Sequence, residues 1–276
     1  MVFISSSCVQ NNNIVEVVNI LKNITDNIEL SGGTKIQKNM LETLLELKSK
    51  EHINFLVHSY FPPPKEDFVL NFADVSSRTR EFIAHSMRYV NELNVEYYSV
   101  HAGFKKDFTI ANERLVNGVN SFTIEGIQEN ISWFHTNFQK KLALENLFPN
   151  GQSEACFASH IDEIEEVLNL NAKIFLLLDL GHLKVSANYY GFDYMDAVTL
   201  LFEKYADRIL EIHLSENDGV EDDHLIIEST GIQYKILERF KNHIQDNKIN
   251  LVIEARGYTT NELRDCYNLL NKTIGE

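Results

Sequence analysis

The sequence predicts an α/β protein folded as a single (β/α)8 TIM barrel spanning residues 1–276, and three observations lead there. Short apolar runs rich in β-branched and aromatic residues alternate with longer stretches whose apolar residues recur three and four apart, as on core-facing helices. The eight runs fall within 276 residues, the length at which eight strand–helix units close into a barrel. Prolines number only 4, and no Gly/Ser-rich or single-sign stretch marks a linker, so one domain is expected. A doubly wound open sheet would alternate in the same way. However, no G-x-G-x-x-G or G-x-x-x-x-G-K-[ST] follows the first run, so the nucleotide sites common on open sheets lack support.

The first run is VFIS (2–5), followed by the helical NIVEVVNILKNI. NIEL (27–30) leads into KNMLETLLELKSK, and INFLVHS (53–59) precedes SRTREFIAHSMRYVNEL. EYYSVHA (96–102) precedes a segment in which Trp133 reads as helix packing. KLALEN (141–146) comes before HIDEIEEVLNL, and IFLLLDL (174–180) before DYMDAVTLLFEKY. ILEIHLS (209–215) and NLVIEA (250–255) are the last two, with NELRDCYNLLNK closing the chain. The charges of Glu42, Glu46, Lys48 and Lys50, and the run DEIEE, read as solvated helix faces.

The formal net charge is −15, which opposes general binding to phosphate backbones or anionic lipid. Cys8, Cys156 and Cys266 are far apart, match no CxxC spacing and are expected to be inert thiols in a reducing compartment. The start, MVFISSSCVQNNN, has neither a basic region nor a long apolar one, so a secretory signal is not expected. No stretch approaches the roughly 20 apolar residues of a membrane span. A cytoplasmic protein is expected, with no membrane partner and with pairing into a homodimer left open.

The strand ends carry the chemistry. The third run ends on His58, the fourth on His101, the fifth on Glu145, the sixth on Asp179, the seventh on His213 and the eighth on Glu254. His182 and the EDDH stretch (221–224), with Asp222 and His224, fall in the loops that follow. Taken singly, a strand-end histidine packs or caps, and a carboxylate caps the next helix. As a set, six consecutive polar ends would meet on the one rim where barrel active sites sit. Glu145, Asp179 and Glu254 would then repel one another by several kcal/mol without a cation. A divalent metal resolves this, and mixed nitrogen and oxygen ligation suits Mn, Co, Fe or Zn, with one to three ions per chain.

Other residues carry less. Arg256 lies beyond the eighth strand, poised either for an anionic substrate group or for a carboxylate partner. Tyr60 and Phe61, in the stiff loop HSYFPPP, are candidates for an apolar pocket wall, and Glu29 is a possible extra rim carboxylate. His52, His85, His135, His160 and His243 read as surface or packing residues.

At VHSYFPPP, SVHAGF, LENLFP, LLDLGHL, EIHLSENDGVEDDH and VIEARG the chain resembles the xylose isomerase-like TIM-barrel superfamily, from the third strand to the eighth. That group holds sugar isomerases and epimerases and also the endonuclease IV class of abasic-site nucleases. The resemblance implies Glu145, Asp179, His213 and Glu254 as ligands of a single metal, and His182 as a substrate-contacting histidine. The nuclease pattern, built around three metals, is matched by His58, His101, Glu145, Asp179, His182, His213, Asp222, His224 and Glu254. Three features depart from the nuclease class. LSGGTKIQKN stands where that class has a basic, aromatic loop, SEND follows His213, and LIIESTGI replaces a Gly-rich segment.

The resemblance thus implies a metal-dependent isomerase or epimerase of a small sugar or polyol ketone. It would work through a metal-stabilised enediolate, with Glu145 and Glu254 as base and acid, His182 on a hydroxyl and Arg256 on an anionic tail. The same intermediate would permit dehydration. The alternative is an endonuclease IV-like phosphodiesterase acting at abasic sites in DNA, and only under it is nucleic acid a partner. A non-catalytic barrel is the third reading.

Overall fold

Ten strands and ten helices alternate along the chain in a computed structural model that describes residues 1–65, 68–111, 114–149 and 156–275, the side chains of 108–119 excepted. The strands are β1 (Val2–Ser5), β2 (Asn27–Leu30), β3 (Asn54–Val57), β4 (Tyr97–His101), β5 (Lys106–Ala111), β6 (Arg114–Ser121), β7 (Lys141–Glu145), β8 (Ile174–Asp179), β9 (Ile209–Leu214) and β10 (Asn250–Ile253). The first five helices are α1 (Ile14–Leu21), α2 (Met40–Glu51), α3 (Ser77–Glu92), α4 (Ile124–Asn137) and α5 (Ile161–Leu170). The rest are α6 (Leu180–Tyr190), α7 (Tyr194–Tyr205), α8 (Ile232–Arg239), α9 (Lys241–Asp246) and α10 (Thr260–Ile274).

Eight strands pair in parallel in the order β3-β2-β1-β10-β9-β8-β7-β4. A single parallel bridge between His58 and Ser99 joins β3 to β4, where the Ser59 amide donates to the Ser99 carbonyl at 2.8 Å. The barrel is therefore nearly closed, and it closes at the rim end of its strands. All eight apolar runs became these strands, their predicted ends trimmed by at most two residues.

Capping explains where the helices begin. Asn13, Ser76 and Asp193 each accept a hydrogen bond from the first turn of α1, α3 and α7, and Thr259 with Glu262 forms a capping box on α10. The apolar faces then seal the barrel exterior, as Val17, Val18 and Leu21 do on α1 and Val198, Leu201 and Phe202 on α7. Phe202 stacks on Phe240 with ring centroids 4.4 Å apart.

Two features were not anticipated. Strands β5 and β6 form an antiparallel pair outside the barrel, inserted after β4. Helix α6 starts directly at the end of β8, so His182 sits in its first turn rather than in a loop. LGHLKVSANYY is apolar around most of its circumference, and Leu180, Gly181, His182, Leu183, Val185, Ser186 and Ala187 are all buried, so no amphipathic stripe announced it.

The β4 loop turns on Gly103, whose φ of +111° is left-handed. A Cβ there would lie 2.5 Å from Asn71 Oδ1 and 2.9 Å from the Ala73 amide nitrogen. Gly103→Ala is expected to cost about 2–3 kcal/mol of stability, read from the denaturant midpoint. A loss below 1 kcal/mol, roughly the ordinary Gly-to-Ala range, would mean that the loop yields instead.

Candidate metal centre

The predicted polar residues converge. His58 follows β3, His101 ends β4, Glu145 ends β7, Asp179 ends β8, His213 is the fifth residue of β9 and Glu254 follows β10. Parallel pairing puts these ends at one level: Glu145 is in register with His101, and His213 with Asp179. His182 enters from α6, and Asp222 and His224 from the loop after β9. His101 and Asp222 are partly exposed and the other seven are buried.

Glu145 stands at the centre. Its Oε2 lies 3.3 Å from Nε2 of both His58 and His101, yet it takes no hydrogen bond from either. Its Oε1 lies 3.3 Å from His182 Nδ1 and 3.9 Å from His213 Nδ1. His213 Nδ1 is 3.3 Å from Glu254 Oε2 and 4.0 Å from Asp179 Oδ2, and it also has no hydrogen-bond partner. Asp179 uses one oxygen to cap α6, accepting from the His182 amide at 2.7 Å, and leaves Oδ2 unpartnered. Buried polar atoms without partners are rare and costly, so a ring of them aimed at shared points fits a cation.

Ring orientation sharpens the fit. His182 Nδ1 lies 2.9 Å from the Asn146 carbonyl, and His224 Nδ1 3.0 Å from the Glu254 carbonyl. A carbonyl only accepts, so each Nδ1 carries the proton and each Nε2 is left for another partner. Both Nε2 atoms face Asp222 Oδ2, at 3.5 Å and 2.8 Å. Three donor groups result: His58, His101 and Glu145; Glu145, Asp179, His213 and Glu254; and His182, Asp222 and His224. Among the described residues, the sets whose ligand atoms lie within 4.8 Å of one another include His58–His101–Glu145 and Asp179–His213–Glu254. These clusters of imidazole and carboxylate could hold Zn, Mn, Co or Fe.

Charge agrees with the geometry. Burial depresses His58 to about 4 and lowers His101, so both rings are neutral near pH 7. Burial pushes Glu145 up, but the imidazoles of His101, His58 and His182 outweigh it and hold the carboxyl at about 2. Burial lifts Asp179 to about 6, with Glu145 and Asp222 adding to the effect against His182. Burial also lowers His182 and His213, yet the surrounding carboxylates dominate and raise both well above 6.5. Protons on these two rings thus balance the acidic cluster until a divalent ion replaces them.

Some supporting residues escaped the sequence reading. Asn146 Oδ1 accepts from the Asp179 amide at 2.7 Å and its Nδ2 donates to the Asp179 carbonyl at 3.0 Å, clamping β7 to β8. Ser99 Oγ bonds His58 Nδ1 at 3.1 Å. Glu211 was missed, although its two-residue spacing from His213 puts both on the same face of a strand. Glu29, noted as a rim candidate, is fully buried inside the barrel, with its Oε2 3.0 Å from His213 Nε2.

The donors floor a cavity of about 530 Å³. Tyr60, Phe104, Leu147 and Phe148 line it, with the Phe148 ring 4.7 Å from that of His182. Phe61 is a correction: it is fully buried against Tyr89 in the core and offers no face to the cavity. The turn begun at Ser59, whose φ is +41°, sends the two neighbouring rings opposite ways. Arg256 is the single Lys or Arg among the lining residues. Away from the site, His160 caps α5 and His85 packs on Tyr89, as structural residues.

With this geometry in hand, the chain matches a family described as xylose isomerase-like TIM barrel over residues 23–264. An uncharacterized protein of Methanocaldococcus jannaschii is 23% identical over 271 residues, covering 95% of this chain and 94% of that one. Among solved structures, a D-tagatose 3-epimerase-like protein shares 19% identity and covers 99% of both chains, with a TM-score of 0.69. AP endonuclease, family 2, from Brucella melitensis shares 12% identity, covering 95% of this chain and 96% of its own, with a TM-score of 0.61. At these identities the solved structures attest to the fold.

Proposed function

The chain belongs to the xylose isomerase-like TIM-barrel family, and from that premise we propose that it is a metal-dependent hydrolase of phosphate esters. The observation that carries this reading is Glu145 Oε2, held between two neutral imidazoles without a hydrogen bond, while its other oxygen faces a second donor group. A carboxylate shared in this way suits a site of more than one ion, the arrangement used for in-line displacement at phosphorus.

Divalent ions supply such a site with Lewis-acid charge and with water made acidic enough to attack near neutral pH. The chain does the rest. Glu145, Asp179, Asp222 and Glu254 carry four negative charges, so three divalent ions leave the floor with an excess of two positive ones. That charge suits a phosphate, and Arg256 adds a donor fork at the rim. Backbone carbonyls hold His182 and His224, fixing their tautomers, and Tyr60, Phe104 and Phe148 exclude water from one wall. Arg256 being the sole cation in the lining favours a compact ester, since duplex binding spreads many Lys and Arg along the phosphates.

The isomerase or epimerase reading is favoured by one observation: Glu145 and Glu254 both approach His213 Nδ1, so one ion there would have a carboxylate on either side. One experiment separates the two. The Mn-, Zn- or Co-loaded protein is given bis(p-nitrophenyl) phosphate, a duplex with one abasic site, and a panel of ketoses in deuterium oxide. Chelator-sensitive phosphate cleavage is expected. Deuterium entering a ketose beside its carbonyl, with every phosphate ester left intact, would overturn the hydrolase reading and install the isomerase.

A further inference from the structure

We propose that Glu29 and Glu211 form a carboxylate cradle inside the barrel that positions His213 for metal binding. The proposal rests on the metal-binding part of the reading above and is independent of the reaction. His213 Nε2 lies 3.0 Å from Glu29 Oε2 and 3.1 Å from Glu211 Oε1, and all three residues are fully buried. Strands β2 and β9 are separated in the sheet by β1 and β10, so the Glu29 contact crosses the barrel interior. The opposite ring atom, Nδ1, is the one left without a partner beside Glu254, Glu145 and Asp179.

Packing alone gives no reason for this pair. Barrel interiors are filled by layers of Val, Ile and Leu, and a buried carboxylate costs free energy unless fully partnered. Glu29 Oε1 and Glu211 Oε2 are not: neither has a hydrogen-bond partner. The cradle does have a local consequence. A carboxylate accepts only, so the proton sits on Nε2 and Nδ1 presents its lone pair to the rim. An anionic partner on the far nitrogen also makes the ring a stronger ligand, the usual use of a carboxylate behind a metal-bound histidine. Two carboxylates approaching one nitrogen from separate strands also fix the plane of the ring.

The test uses the full chain and three variants, Glu29→Gln, Glu211→Gln and Glu211→Leu, with Mn or Co affinity measured by calorimetry and the Co(II) visible spectrum recorded. Each single variant is expected to weaken binding by about 10- to 100-fold and to shift the Co(II) bands, with Gln milder than Leu at position 211. The metal-free variants are expected to melt at or above the parent temperature, because a buried charge has gone. A purely structural role predicts the reverse: metal-free forms that melt lower, with unchanged affinity and spectrum, and that result overturns the proposal. A parent protein that hydrolyses no phosphate ester while the variants still lose metal would overturn the proposed reaction and leave the cradle standing. A parent that binds no metal would overturn both.

Discussion

Replacing Glu145 by Gln is expected to lower kcat/KM for a cleavable phosphate ester by about 1,000- to 10,000-fold, the several kcal/mol of charge stabilisation in such a site at 1.36 kcal/mol per tenfold. Glu145 is singled out because it joins His58 and His101 on one oxygen and approaches His182 and His213 with the other. Glutamine keeps the volume but loses the charge, and its amide nitrogen cannot ligate. Elemental analysis is therefore expected to find less metal per chain. Melting of the metal-free variant should match or exceed that of the parent, since a buried carboxylate is gone. Full metal content with activity within tenfold of the parent would remove Glu145 from the centre of the site.

Stripping the metal is expected to lower the unfolding temperature by about 8–15 °C. An ion present at 1,000 times its dissociation constant stabilises the folded chain by about 4 kcal/mol, and a chain of this size shifts by about 2–4 °C per kcal/mol. Without the ion, Glu145, Asp179, Asp222 and Glu254 are left facing one another, balanced only by His182 and His213. Both imidazoles are raised in the folded chain, so their stabilisation is complete below about 6.5 and is lost as pH climbs through the raised values. Metal affinity moves the other way, because ligands must shed protons to bind. The difference between the loaded and stripped proteins should therefore widen with pH. Scanning calorimetry with and without chelator at pH 6 and pH 8 reads both effects. Identical melting of the two forms at both values would mean that the cluster holds no ion.

The fold was legible in the sequence because barrel strands are buried on both faces. Runs such as IFLLLDL then appear as continuous apolar stretches, and helices such as EVVNIL carry a clean stripe. Helix α6 and the β5–β6 pair were not legible, for opposite reasons. The first is buried nearly all round and shows no stripe, and the second lies outside the barrel and follows none of its spacing.

For the site, the sequence by itself determined the chemistry. Six strand ends bearing His, His, Glu, Asp, His and Glu, once parallel strands are assumed, must meet on one rim as a cation-seeking set. What only the tertiary structure decided is how those donors share space. Glu145 became a bridge because β4 and β7 pair in register and His101 therefore stands beside it. Phe61 went to the core because a left-handed Ser59 turned it there, and Glu29 reached His213 across the barrel from a strand 184 residues away in sequence. Residue type follows from the code, but which atoms of a histidine are free depends on what stands behind the ring. Only the closed barrel brings those partners together.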